Sequence, residues 1–183
     1  SRNTSIGGHS MEFNTTGCDN TAVRFRALDS TISGLANTAV GFEALHSSTL
    51  ASYNTAIGYL SLGNNASGDF NTAIGCGALQ LNTNGASNTA IGLNALNLNT
   101  TGSFNTAGGA KALINNTTGD VNTAFGANAL IANTTASNNT AMGTNALFMN
   151  TTGYGNTTTG SNSLFNNTTG NYNTANGDSA LYS

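Results

Sequence analysis

The sequence predicts an all-β chain: a parallel β-solenoid, or β-roll, of eleven coils with seventeen residues each. Three observations predict it. Asn-Thr recurs at Asn3, Asn20, Asn37, Asn54, Asn71, Asn88, Asn105, Asn122, Asn139, Asn156 and Asn173, with no insertion or deletion in 183 residues. A fixed period of this kind marks a repeat architecture. Asn, Thr and Gly dominate each copy and are poor helix formers, and seventeen residues is short for a helical repeat, which needs more than about thirty. Charged residues make up only 6%, against roughly 25% in typical soluble domains. The polar groups are therefore mostly amides and hydroxyls, which stack on copies of themselves without repulsion.

Numbered from its Asn, the repeat reads N-T-A-[IV]-G-x-x-A-L-x-x-N-T-T-G-x-[FY]. Asn and Thr hold the first two positions in all eleven copies; Gly holds the fifth except at Arg24, and Leu the ninth except at Met11. The N-T-A-I-G segment alternates like a short strand, so the fourth-position side chain is expected on one side and Ala on the other. Gly at the fifth and fifteenth positions is expected to supply turns with positive φ. The A-L-x-x-N piece is expected to form a second short strand or extended edge, with Leu inward. One repeat then makes one coil, and coils stacked at about 4.8 Å give a rod of roughly 50 Å.

The expected core is a Leu column from Met11 to Leu181 beside an aliphatic column from Ile6 to Met142. Structural ladders are expected at Asn20, Asn37, Asn54, Asn71, Asn88, Asn105, Asn122 and Asn139, and at Leu45, Leu62, Leu79, Leu96, Leu113, Leu130 and Leu147. Each Asn side chain is expected to bond to its copies above and below, as stacked amides do in cross-β assemblies. A lone coil buries almost nothing, so stability accumulates only through neighbours.

The chain reads as a single repeat domain over 1–183. Copies 3–19 and 20–36 are irregular, with Arg24, Phe25, Arg26 and Ile32 at otherwise small or polar places; this is either a cap or drift. A regular array follows over 37–172, and 173–183 is a truncated last coil. Because the chain starts and stops inside a repeat, a segment of a longer array or a trimmed mature form is expected.

Composition excludes several classes. No run approaches the ~20 apolar residues of a spanning helix, so no membrane insertion by this segment is expected. A net charge of −3, with only Arg2, Arg24, Arg26 and Lys111 basic, argues against nucleic acid, whose phosphates need clustered cations. Cys18 and Cys76 fall at different phases of the repeat, so no disulfide within the chain is expected.

Chemistry finds little footing. Asp29 and Glu43 occupy the tenth and seventh positions of neighbouring coils rather than one column. Glycoside cleavage needs two acids within roughly 5–9.5 Å across a groove. His9 and His46 lie two coils apart and read as surface residues, since a metal site needs converging ligands. No catalytic residue, metal or cofactor is expected. The N-x-[ST] matches at Asn99, Asn116, Asn133, Asn150 and Asn167 follow from the repeat itself and read as structural rather than as glycosylation acceptors.

The repeat N-T-A-I-G-x-x-A-L-x-x-N-T-T-G resembles the head repeats of YadA-like trimeric autotransporter adhesins. It is closer to the seventeen-residue N-T-A-x-G-x-x-A-L repeats of phage tail fibres and bacterial surface fibres. The resemblance spans essentially the whole chain, although the autotransporter heads usually repeat every fourteen residues. It implies left-handed β-rolls joined as a homotrimer, located extracellularly, on a cell surface or on a virion. The Ala columns at the third and eighth positions and Gly at the fifth are expected to let chains approach closely.

The expected function is accordingly a non-enzymatic structural or adhesive fibre segment. Its partners are itself and a cell-surface glycan or protein receptor engaged through repeated weak contacts. Alternatives are an ice-binding solenoid using Thr columns at the second, thirteenth and fourteenth positions, and a carbohydrate-active β-helix. The adjacent Thr-Thr pair, if extended, should point to opposite sides, which weakens an ice face built on it.

Overall fold

A computed structural model describes residues 2–183. Among these residues, eleven three-residue strands form one parallel sheet in sequence order, from β1 (Thr4–Ile6) to β11 (Thr174–Asn176). Successive strands lie in exact repeat register: β6 (Thr89–Ile91) pairs with β7 (Thr106–Gly108) as Thr89 to Thr106, Ala90 to Ala107 and Ile91 to Gly108. Each repeat is one coil of a parallel β-solenoid.

Backbone bonds between coils continue well beyond the strands. In the coil 88–104, the N–H of Thr89 donates to Asn105 O at 2.8 Å and that of Leu96 to Ala112 O at 3.0 Å. Asn94 and Phe104 donate the other way, to Cys76 O at 2.9 Å and Ala86 O at 3.0 Å. Amides along much of the coil are thereby paired with its neighbours, which is what a buried backbone requires.

The A-L-x-x-N piece is not a second strand. It winds through turns, and the seventh and ninth positions both take left-handed backbone, as at Asn94 (φ 53°) and Leu96 (φ 50°). Asn tolerates that region, but Leu rarely enters it, and the cost is about 1–2 kcal/mol per residue. Burial offsets the cost. Leu28, Leu45, Leu62, Leu79, Leu96, Leu113, Leu130 and Leu147 are fully buried, and each such side chain contributes about 1.5–3 kcal/mol.

The core differs from the expected one in its second column. Ala at the third position points inward and is fully buried in the regular coils, whereas the fourth-position side chain points out, leaving Ile91 47% and Met142 44% exposed. The coil interior already holds Leu, two Asn and the eighth-position Ala, so only a methyl group fits beside them. For the same reason the two Ala columns line the inside of each chain and take no part in close approach between chains.

Glycine serves two purposes here. At the fifth position Gly75 has φ +134°, and a Cβ there would lie 2.5 Å from Gly92 O. The fifteenth-position glycines do not have positive φ. Gly102 is small because a Cβ would sit 2.5 Å from both Gly119 O and Asn99 Oδ1.

Candidate functional site

The ladder residues converge on the inside of the coil. Asn20, Asn37, Asn54, Asn71, Asn88, Asn105, Asn122 and Asn139 are buried. The first-position amide mainly clamps backbone. Asn88 Oδ1 accepts the backbone N–H of Asn105 at 2.9 Å, and Asn88 Nδ2 donates to Gly102 O of its own coil at 2.9 Å. Side chain-to-side chain bonds join only some steps, such as Asn88 Nδ2 to Asn71 Oδ1 at 3.2 Å.

A continuous amide ladder runs instead at the twelfth position. Asn82, Asn99, Asn116 and Asn133 each donate to the preceding Asn Oδ1, at 2.7, 2.8, 2.9 and 2.9 Å. Asn99, Asn116, Asn133 and Asn150 are fully buried, so these four N-x-[ST] matches are sealed inside the folded coil, whereas Asn167 is half-buried. In the first three coils this ladder is broken. Asn14 Oδ1, Thr31 Oγ1 and Ser48 Oγ are buried there with no hydrogen-bond partner among the described residues.

Two surfaces remain for function. The first is the outer face of the sheet, where Thr at the second position and the fourth-position side chain stand side by side. Neither position carries a charge in any coil. Ile57, Ile74, Ile91, Phe125 and Met142 are all exposed along it. Between Ile57 and Met142 the column is interrupted at Gly108, where a Cβ would lie 2.5 Å from Cε1 of Phe125, whose ring leans into the space, and it ends in the polar Thr159 and Asn176. The strip is about 50 Å by 10 Å, on the order of 500 Å², with Thr filling one of its two columns.

The Thr pair at the thirteenth and fourteenth positions behaves differently. Thr83, Thr100 and Thr117 each donate their hydroxyl to the next coil's thirteenth-position carbonyl at 3.0 Å. Those hydroxyls belong to the stack rather than to a ligand.

The second surface gathers charge in the first three coils. His9, Arg26 and Glu43 hold the seventh position of three consecutive coils, and Glu12, Asp29 and His46 hold the tenth. His9 Nδ1 lies 2.7 Å from Glu12 Oε2. Arg26 donates to Asp29 Oδ2 at 3.2 Å and to Glu43 Oε1 at 3.1 Å, so the two acids expected to lie apart share one guanidinium. His46 Nδ1 is 3.4 Å from Asp29 Oδ2 without hydrogen-bond alignment. It is therefore part of this group and not an isolated surface histidine. Asp29 is buried, and its Oδ1 has no hydrogen-bond partner among the described residues. Beside this grid lies an open cavity of about 340 Å³ lined by His9, Glu12, Phe13, Phe25, Arg26 and Asp29.

Aromatic side chains stack along the rod at the coil spacing. Phe25, Phe42 and Tyr59 lie 5.6 and 5.4 Å apart, and Phe148, Phe165 and Tyr182 4.8 and 5.1 Å apart. Stacked this way the rings turn mainly their edges to solvent. Cys18 and Cys76 are free thiols. Among the described residues, no group of three His, Cys, Asp or Glu side chains converges to hold a metal, and no helix is long and apolar enough to cross a membrane. No family model, curated protein or solved structure matches the chain.

Proposed function

We propose that the chain is a non-enzymatic segment of an extracellular or virion-borne fibre, one of the seventeen-residue repeat fibres its sequence resembles. In this reading three left-handed copies lie side by side, and the assembled rod presents repeated surface groups for multivalent attachment to a cell-surface glycan or protein. The observation that carries it is the uncharged fourth-position column, in which Ile57, Ile74, Ile91, Phe125 and Met142 face water in a single chain. A second copy has the same rise per coil, so its side chains meet this column in step over every coil. Attachment then sums many weak contacts along a stiff support.

The test is the mass in solution by light scattering, with circular dichroism on the same sample. A β spectrum with three times 18.4 kDa supports the reading. A well-folded β monomer overturns the trimer.

One observation favours a second reading. Thr and the fourth-position side chain share an outward face in strict register, repeating about 4.8 Å across strands and about 6.6 Å along them. A grid of hydroxyls and methyls of this regularity suits an ice surface, provided the face is free. Thermal hysteresis from a monomer supports ice binding; its absence removes it.

A further inference from the structure

We infer that the first three coils, residues 3–53, open by local unfolding as one block while the later coils stay closed, and that Arg26 is the side chain that holds the block shut. Two kinds of feature fall in the same place. Five buried side-chain atoms have no hydrogen-bond partner among the described residues: Asn14 Oδ1, Asp29 Oδ1, Thr31 Oγ1, His46 Nδ1 and Ser48 Oγ. All five belong to the first three coils, although eight further copies of the repeat follow. A group of this kind gives up water on folding and gains no partner in return, so each one favours the open chain.

The twelfth-position ladder accounts for three of them and marks the boundary of the block. From Asn65 to Asn167 it is unbroken, each amide donating to the one before at 2.7–3.2 Å. Thr31 and Ser48 carry no amide, so a rung is missing at each junction from the first coil to the fourth. The last gap lies between Ser48 and Asn65.

Ion pairs take the place of the rungs. Every ion pair among the described residues joins side chains within residues 2–46. Lys111 carries the one Lys or Arg charge beyond them and is in no ion pair there. Arg26 reaches Asp29 Oδ2 of its own coil at 3.2 Å and Glu43 Oε1 of the next at 3.1 Å. Asp29 is closed to solvent, so its charge relies on that guanidinium, with the His46 ring 3.4 Å away on the third coil. Removing one partner of a buried pair is strongly destabilising. The Phe25 and Phe42 rings, stacked at 5.6 Å, join the same two coils. The second and third coils therefore stay or leave together, and the first coil has only the second to rest on. Opening of the block bares the edge of β4 (Thr55–Ile57), which β3 (Thr38–Val40) covers in the closed chain. A bare edge is a template for another strand.

The repeat supplies matched probes for native-state hydrogen exchange by NMR on the whole chain. The amides of Leu28, Leu45, Leu79 and Leu96 each follow an alanine and donate to the next coil, at Ala44 O, Ser61 O, Ala95 O and Ala112 O, all at 3.0 Å. Leu28 and Leu45 are expected to exchange at one rate, at least about tenfold faster than Leu79 and Leu96. Rates that fall steadily from coil to coil mean fraying from the end, and four equal rates mean a single global transition; either result overturns the block. Arg26→Gln should speed Leu28 and Leu45 by at least about tenfold and leave Leu96 unchanged. No change at Leu28 and Leu45 overturns the role of Arg26. Thr31→Asn combined with Ser48→Asn supplies the missing rungs and should slow both amides by about tenfold; unchanged or faster exchange overturns the broken ladder as the cause of opening.

Discussion

Asn99 Nδ2 lies 2.8 Å from Asn82 Oδ1 and 2.9 Å from Gly102 O, with no part of the side chain open to solvent. One amide thus ties two coils together and closes the turn of its own coil. Asn99→Ala leaves two acceptors and the donor of Asn116 short of a partner, and is expected to cost about 1–3 kcal/mol. Asn99→Asp adds a buried carboxylate facing Asn82 Oδ1 and should cost more. Urea unfolding of the two variants against the parent chain measures both; equal stability of all three would remove the ladder as a source of cohesion.

The broken end of that ladder should be repairable. Ser48→Asn places an acceptor within reach of Asn65 and a donor towards Ala51 O, which has the position Gly102 O has for Asn99. The variant is expected to gain about 0.5–1.5 kcal/mol, the net worth of an added hydrogen bond. A lower melting temperature would mean that the site is too narrow for an amide.

Gly75 and Gly102 should respond differently to the same substitution. Gly75→Ala meets both a left-handed φ and the backbone of the next coil, and a loss of about 1–3 kcal/mol or more is expected. Gly102→Ala meets only close packing, and the equivalent places at Ala51 and Ala136 already hold alanine. Its loss should be the smaller of the two in thermal unfolding, and a reversed order would contradict this account of the fifth position.

On the outer face of the sheet, Ile74→Lys together with Ile91→Lys puts two cations on neighbouring coils. The β spectrum should survive, because both side chains are exposed and not part of the core. If copies associate through this face as proposed, the light-scattering mass falls to that of one chain. An unchanged mass would move the contact between copies to another face.

Arg2 donates to Asp19 through Nε–Oδ1 at 2.6 Å and Nη2–Oδ2 at 2.9 Å. These bonds hold the Asp19 carboxyl at about 2, below its ordinary 3.8. Because the folded value is the lower one, the stabilisation is complete above the ordinary value and fades as pH falls towards about 2. Both groups are open to water, so salt should weaken the effect. A carbon-detected NMR titration of Asp19 should give a midpoint of about 2, returning towards the ordinary value in Arg2→Ala.

Much of this architecture was legible because one period governs it. Coil length, parallel register and the stacking of like residues all follow from Asn-Thr recurring every seventeen residues. The direction of the fourth position was not legible. Hydrophobicity alone sends Ile91 inward and leaves Ala90 free, but a coil already filled by Leu96, Asn88 and Asn99 has room only for the methyl group. The second strand was misjudged for a related reason: nothing in Ala-Leu announces that Leu96 takes φ 50°, a conformation leucine usually avoids. The charged grid was hidden by its spacing. Indexing His9, Arg26 and Glu43 to one column, and Glu12, Asp29 and His46 to another, was the signal available for it.

The ring of Phe125 leaning over Gly108 has a consequence for alignment. Where every coil looks like the next, a surface laid along the rod can slide by one coil, about 4.8 Å, and meet nearly the same relief. Such a column fixes direction and pitch but no position. A hollow at Gly108 followed by a ridge at Phe125 occurs once, so it marks a single longitudinal origin along the stretch from Ile57 to Met142, much as one long graduation marks a ruler.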